Sequence, residues 1–336
     1  MSPDDASRAD VPVRDLVVIG ASAGGVQVLL DLAAALPGDF PACVLVVVHV
    51  GAHRSLLPEL MSARGLLRAV HPRDAQSLQP GTIFVAPPDH HMLVEDGRIR
   101  LNRGPRENHA RPAIDPLFRT AALSYGRRVV GVVLSGRLDD GTAGLQAIKR
   151  CGGLAVVQDP ADAEYADMPR SACDHVDVDL CVPASRLAAC LLDCVRVPVV
   201  AAAPPLPDDI ATEQAISTGA GDPMDNLNAI GHPSRFACPE CAGVLWEIDG
   251  SRPRRYRCHT GHGFTLRALA KTQDDATEDA LWGAMRALQE REALLREMAK
   301  DADPAGGGDA ARDDIVKTAE RMARHGEQLR EMITSD

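Results

Sequence analysis

The sequence predicts an α/β protein: a doubly wound, mostly parallel sheet flanked by helices, followed by a small cysteine-rich module and a C-terminal helical hairpin. Three observations carry that prediction. From residue 13 to about 196, short runs rich in Val, Ile and Leu alternate with stretches of helical period. Several of those runs are apolar at nearly every position, the mark of strands buried on both faces. Beyond residue 197 the alternation stops and the composition changes twice.

In chain order, residues 1–12 form an acidic, polar tail. DLVVIG (15–20) reads as the first strand and passes through G-A-S-A-G-G into a helix over 25–36. CVLVVVHV (43–50) is the second strand, with a helix over 54–63, and TIFVA (82–86) is the third. DGRIR (96–100) carries an Asp-Gly turn and reads as a hairpin on the side. A helix over 115–125, VVGVVLS (129–135), a helix over 141–151, LAVVQ (154–158) and VDVDLC (176–181) complete a domain spanning 13–196. Residues 197–235 are rich in Pro, Gly, Ala and acidic residues without period, and read as a linker. A compact block follows over 236–268. Residues 275–334 hold two apolar stripes, Leu281, Met285, Leu288, Leu295 and Met298, then Ile315, Ala319, Met322, Leu329 and Met332. DPAGGGD (303–309) separates them, which predicts a helical hairpin or a coil through which two copies form a homodimer.

Hydrophobic residues make up 45% of the 336 and aromatics only 3%, so the core must be built of Ala, Val and Leu. A formal net charge of −11 argues against non-specific nucleic-acid binding and against an anionic membrane surface, both of which depend on Lys and Arg. No run approaches the roughly 18–20 apolar residues a membrane span requires. The N-terminus has no apolar signal segment, so a cytoplasmic location is expected. Of nine cysteines, Cys43, Cys151, Cys173, Cys181, Cys190 and Cys194 are scattered among apolar residues and read as inert thiols. The other three are clustered.

The turn at Gly20–Gly25 poses the functional question. As a dinucleotide turn it is a weak match, because Ser22 replaces the second glycine and the second strand ends in His49 where a ribose-binding carboxylate belongs. As a nucleophile turn it is stronger. Small residues leave a hydroxyl open at a strand-to-helix bend, and the helix N-terminus offers N–H groups to a developing oxyanion. Serine needs a base, and the base needs an orienting carboxylate. His49 closes the second strand, and Asp139 and Asp140 follow VVGVVLS, so all three types fall at strand ends of one sheet. That constellation predicts a Ser/His/Asp hydrolase.

GASAGG, VVHV, APPDHH (86–91), ARPAIDPLFRTAA (110–122), LSGRLDDGTAGLQAIKRCGG (134–153) and VVQDPADAEYADMPRSA (156–172) resemble the methylesterase domain of the chemotaxis protein CheB over roughly residues 13–195. The resemblance implies a hydrolase that removes methyl esters from glutamate side chains of methyl-accepting receptors, releasing methanol, and that deamidates glutamines in some members. It implies Ser22 as nucleophile, His49 as base and Asp140, which directly precedes Gly141, as orienting acid, with no catalytic cofactor. Two departures stand out. Ala23 replaces the threonine usual after the nucleophile, and Arg137 and Leu138 replace the usual methionine and glycine. Ala23 and Arg137 are therefore candidates for shaping the oxyanion and substrate region, with Arg137 either favouring an acidic receptor surface or pointing to solvent. Only about 12 residues precede the first strand, whereas the usual chemotaxis enzyme carries a receiver domain there. The enzyme is accordingly expected either to be constitutive or to be regulated by a separate protein or by the C-terminal region.

FACPECAGVLWEIDGSRPRRYRCHTGHGF offers Cys238-x2-Cys241 and, after a hairpin, Cys258-x3-His262. Three thiolates and an imidazole suit a structural zinc with no open position, and His259 competes with His262 for the fourth place. The alternative to an enzyme is a non-catalytic signalling scaffold acting through this module and the C-terminal helices.

Overall fold

Strand β1 (Leu16–Ala21) is fully buried along its length and forms the middle of the sheet. A computed structural model describes residues 13–49, 54–199, 204–301 and 309–335; the tail at 1–12, the expected strand end at Val50 and most of the DPAGGGD break lie outside them. Helix α1 (Gly25–Ala35), β2 (Cys43–Val48), α2 (Leu57–Arg64), β3 (Arg68–Val70) and β4 (Thr82–Val85) build one side of the sheet. The hairpin β5 (His91–Glu95) and β6 (Arg98–Asn102) turns at Asp96-Gly97, both with positive φ, as the Asp-Gly pair predicts. Then α3 (Ile114–Tyr125), β7 (Val129–Val133), α4 (Thr142–Arg150), β8 (Leu154–Gln158), α5 (Asp167–His175), β9 (Leu180–Val182) and α6 (Leu187–Arg196) build the other side.

The seven strands run in the order β3-β4-β2-β1-β7-β8-β9, and every pair is parallel. Alternate β1 residues face opposite layers, as the period of two requires. Leu16 and Val18 join the core under α3, α4 and α5, while Val17 and Ile19 join the one under α1, α2 and α6. The order reverses direction beside β1, which opens a crevice at the carboxyl ends of β1, β2 and β7. The strand expected at 176–181 shortens to β9. Val176 closes α5, and the Asp179 carboxylate is taken by Lys149 and the Ala155 N–H.

The stretch expected as a linker holds two helices, α7 (Asp208–Thr218) and α8 (Pro223–Ile230). Gly219 in the left-handed region ends the first, and the Asp222 side chain caps the second by accepting from the Met224 and Asp225 N–H groups. The Pro, Gly and Asp that suggested a linker are here helix punctuation. Ile216 of α7 and Leu227 and Ile230 of α8 pack with Trp246 and Ile248. A second, antiparallel sheet follows: β10 (Gly231–Ala237), β11 (Val244–Ile248), β12 (Arg255–Cys258) and β13 (Gly263–Thr265). Its own core is small: Cys238, Leu245, Tyr256, Cys258, Phe264 and Leu269.

A buried ionic network anchors this small sheet to the large domain. Arg119 of α3 makes a two-pronged contact to Glu107, through Nη1 at 3.1 Å and Nη2 at 2.7 Å. Arg257 of β12 reaches Glu107 at 2.9 Å and Glu213 of α7 at 2.8 Å, and Arg255 holds both Glu213 oxygens at 2.6 and 2.7 Å. Burial by itself would raise the carboxyl pKa values, but the surrounding guanidinium groups hold Glu107 and Glu213 well below the usual range.

The chain forms two compact units, Met1–Leu269 and Ala270–Asp336. The second holds most of α9 (Leu266–Asp301) and all of α10 (Asp309–Thr334). Met285 and Ala319 are buried as their stripes predict, but Met298 and Met332 are exposed. Ala299 and Gly326 are the buried neighbours that continue the two faces.

Removing one partner from a buried ionic network leaves uncompensated charge, so Glu107→Gln is expected to lower stability by about 3–5 kcal/mol in urea unfolding at pH 7. Both glutamates titrate lower in the folded chain than in the unfolded one. Their contribution is therefore complete above the ordinary glutamate value of about 4.3 and is lost as pH falls below it. The wild-type midpoint should drop on that acid limb, and the Glu107→Gln midpoint should drop less steeply.

Candidate active site

The strand-to-helix bend after β1 presents Ser22 half-buried at the carboxyl edge of the sheet. The Ser22 N–H donates to Ser135 O at 3.0 Å, and the Ser135 hydroxyl donates to Ala23 O at 2.8 Å, so backbone after β7 pins the bend from the side. Two glycines are required by that closeness. Gly24 sits at φ +73°, where a Cβ would also lie 2.7 Å from Ser135 Oγ. At Gly136 a Cβ would fall 2.9 Å from Ser22 Cβ and 2.0 Å from Met168 Sδ. Helix α1 starts three residues after the serine, and its first turn directs N–H groups and the positive end of its dipole toward the hydroxyl's edge of the sheet.

His49 directly follows β2, with its N–H donating to Ala21 O at 3.2 Å. Its ring spans the other two groups: Nδ1 lies 3.2 Å from Ser22 Oγ, and Nε2 lies 2.7 Å from Asp140 Oδ2. The ring is 21% exposed and the aspartate 2%, so the serine side opens to solvent while the carboxylate is sealed. With Nε2–H donating to the carboxylate, the Nδ1 lone pair faces the hydroxyl. Serine proteases use the two nitrogens the other way round.

Asp140 lies between β7 and α4 and accepts four hydrogen bonds. Oδ2 takes His49 Nε2 and the Ile114 N–H, both at 2.7 Å, while Oδ1 takes Asn108 Nδ2 at 2.9 Å and the Asp115 N–H at 3.3 Å. Burial pushes this carboxyl up, but those donors together hold it below its ordinary value, so it stays ionised. The neighbouring Asp115 goes the other way, raised well above the usual range by burial and then by the Asp140 charge. Its Oδ1 caps α4, accepting from the Gly141 N–H at 3.0 Å and the Gly144 N–H at 2.7 Å. One Asn108 carboxamide bridges the two acids, with Nδ2 also 3.1 Å from Asp115 Oδ2. Asp139 does not face the histidine. Its Oδ1 accepts from Thr265 Oγ1 at 2.6 Å.

Ala23 contributes a backbone carbonyl to the bend. The exposed Arg137 lays its guanidinium over the Tyr165 ring, 4.9 Å from the centroid, on the segment that also carries Met168. Leu138, where the resemblance leads one to expect glycine, holds φ +63°. The sequence reasoning missed Asn108, Asp115, Ser135 and Gly136. Of these only Asp115, Ser135 and Gly136 lay inside quoted motifs, and Asn108 precedes one by two residues.

In the small sheet, Cys238, Cys241, Cys258 and His262 converge, with all four ligand atoms within 4.8 Å of one another. A tetrahedral ion with metal–sulfur bonds of about 2.3 Å spaces its ligand atoms roughly 3.5–3.8 Å apart. Cys241 Sγ and Cys258 Sγ are 3.7 Å apart, and Cys258 Sγ and His262 Nδ1 are 3.5 Å apart, so the donor set fits such an ion. His259 is exposed, with its ring packed over Gly243. Of the six scattered cysteines, Cys43, Cys151 and Cys194 are buried, and burial pushes the Cys43 thiol up to about 12. Among the described residues no helix is long and apolar enough to cross a membrane.

The sequence matches the family profile described as CheB methylesterase over residues 17–191. A Leptospira interrogans protein, named provisionally as a protein-glutamate methylesterase/protein-glutamine glutaminase, is 37% identical over 180 residues, covering 52% of this chain and 91% of that one. An Anaeromyxobacter dehalogenans protein-glutamate methylesterase/protein-glutamine glutaminase is 35% identical over 193 residues, and there the alignment spans 57% of either chain. Among solved structures, the catalytic domain of Thermotoga maritima CheB methylesterase is similar with a TM-score of 0.51 and 29% identity, over 53% of this chain and 97% of that one.

Gly136→Ala is expected to overpack the contact between Met168 and the serine bend and to cost about 1–3 kcal/mol of stability. Urea unfolding with and without the substitution measures it.

Proposed function

The chain belongs to the CheB methylesterase family, and on that membership and the geometry of its site we propose that it is a protein-glutamate methylesterase, with glutamine deamidation as a second activity of the same groups. The observation that carries this reading is the His49 ring, which sits at hydrogen-bond distance from a hydroxyl on one side and a buried carboxylate on the other. In the proposed reaction Ser22 Oγ attacks the γ-ester carbonyl of a receptor glutamate while His49 Nδ1 takes its proton. N–H groups at the start of α1 stabilise the oxyanion. The imidazolium then returns the proton to the departing methoxide, which leaves as methanol. Water, deprotonated at the same nitrogen, cleaves the acyl-enzyme to free the glutamate carboxylate. Asp140 keeps the ring in the tautomer and orientation that both half-reactions need. A glutamine amide would follow the same route and release ammonia. The substrates on this reading are methyl-accepting receptors met in the cytoplasm.

The Cys238, Cys241, Cys258 and His262 cluster suits zinc, because thiolates and imidazole favour it over hard cations. Four protein ligands leave no position for substrate, so when bound the ion supplies structure to the small sheet and not chemistry to the ester.

Ser22→Ala is expected to abolish methanol release from methylated receptor membranes and covalent capture of a fluorophosphonate, with the unfolding midpoint unchanged; release at the wild-type rate would sink the esterase reading. Asp140→Asn is expected to lower kcat by about 10⁴-fold through the wrong tautomer. Purified full-length protein should carry one zinc ion per chain by elemental analysis, and Cys258→Ala should carry none.

A further inference from the structure

We infer that the Cys/His module acts as a clamp on the catalytic aspartate, through Asn108 as a positioning residue, so that metal occupancy governs turnover. This rests on the esterase reading and goes beyond it.

Asn108 occupies a segment held from two sides: the large domain grips it through Arg119 on Glu107 and through Asp115 and Asp140 on the Asn108 carboxamide. Asn108 at φ +51° and His109 at φ +61° are the two central residues of a tight turn that Glu107 and Ala110 close with a pair of backbone hydrogen bonds, a geometry that asparagine adopts readily. The second side is the small sheet. The Asn108 N–H donates to Gly263 O at 2.8 Å, the Thr265 N–H donates to Asn108 Oδ1 at 2.9 Å, and the Gly263 N–H donates to Arg106 O at 3.3 Å. Thr265 also donates its hydroxyl to Asp139, next to the catalytic acid.

The Thr265 bond also fixes which way the carboxamide points. With Oδ1 facing an N–H, Nδ2 must face Asp140 and Asp115 and give one hydrogen to each. Reversed, the carbonyl oxygen would meet two buried acids. The sheet therefore sets one of the four donors that surround the Asp140 carboxylate.

Both halves of the metal cluster reach this segment. Gly263 directly follows His262, and the Cys258–His262 turn closes through the Cys258 N–H to His262 O at 3.0 Å and the Gly261 N–H to Cys258 O at 2.9 Å. From the other half, Glu240, between Cys238 and Cys241, accepts from His109 Nδ1 at 2.8 Å and lies 3.7 Å from Arg106. A module whose core is six residues lacks the apolar burial to fix such turns without a staple, and an ion shared by the two turns supplies it. The buried Arg257–Glu107 contact keeps β12 attached with or without the ion. What the ion sets is the path of residues 258–265, the stretch that touches Asn108.

The test uses the full-length chain and the second-order rate of fluorophosphonate capture at Ser22, with kcat and KM for methanol release and metal content measured alongside. Asn108→Ala is expected to lower both the capture rate and kcat ten- to a hundredfold with KM within twofold. Removing zinc from the wild type with a chelator under reducing conditions should lower capture by a similar factor, and restoring zinc should recover it. In Asn108→Ala, chelation should add less than twofold, because both changes break one linkage. Thr265→Val, which removes the hydroxyl's contacts to Asp139 and to the Ala268 N–H but leaves the backbone bond to Asn108, should fall less than Asn108→Ala. The inference is overturned if the purified chain holds no metal, if chelation leaves wild-type capture unchanged, or if the two effects multiply. A wild type that neither captures the probe nor releases methanol would fail the esterase reading itself.

Discussion

The ionised carboxylate of Asp140, 2% exposed, is the constraint around which the site is built. A carboxylate taken out of water without partners costs many kcal/mol, so the chain must bring it donors or lose the charge. It brings four, from His49, Asn108, Ile114 and Asp115. Those residues belong to the end of β2, the loop before α3 and the first turn of α3, so satisfying one buried charge fixes three chain segments against the end of β7. The orientation of His49 follows. Its Nε2–H is committed to the carboxylate, which leaves Nδ1 to face Ser22.

Asp115 shows why a single charge is enough. Two buried carboxyls bridged by one amide cannot both be ionised at little cost, and their environments push them in opposite directions. Asp140 faces a ring that can become a cation. Asp115 faces the N-terminus of α4, where its Oδ1 caps two N–H groups. The pair titrates as a unit, with Asp115 held above its ordinary value and Asp140 below.

The parts of the site readable from sequence are those that obey strand-end logic. Ser22, His49 and Asp140 each close an apolar run, and parallel sheets gather such ends at one edge. Asn108 follows no such rule. It acts from an irregular loop and is held by residues 155–157 positions further on, a pairing no local pattern encodes. The hidden helices α7 and α8 are short, and their caps share the composition of a linker. In α9 and α10 the helical period was legible but its register drifted. Glu292 and Gly326 occupy stripe positions that hydropathy does not reveal, so the extrapolated stripes end on the exposed Met298 and Met332 rather than on Ala299 and Ile333.

The use of ions, where apolar contacts would serve for stability, gives the docking of the small sheet its orientation. Apolar burial is non-directional, and the packing of Trp246 and Ile248 on α7 and α8 would by itself admit several rotations. Forked guanidinium–carboxylate contacts cannot. Arg119 and Arg257 approach the same Glu107 with paired N–H groups, and Arg255 takes both oxygens of Glu213. Each fork accepts one plane and one distance, which fixes β12 in rotation as well as position. The neighbouring strand β13 is hydrogen-bonded to β12 in register, Arg257 opposite Gly263 and Arg255 opposite Thr265. The forks therefore hold β12 as the base from which the Cys258–His262 turn carries β13 back, so that the Thr265 N–H arrives at the Asn108 carboxamide beside the buried aspartate.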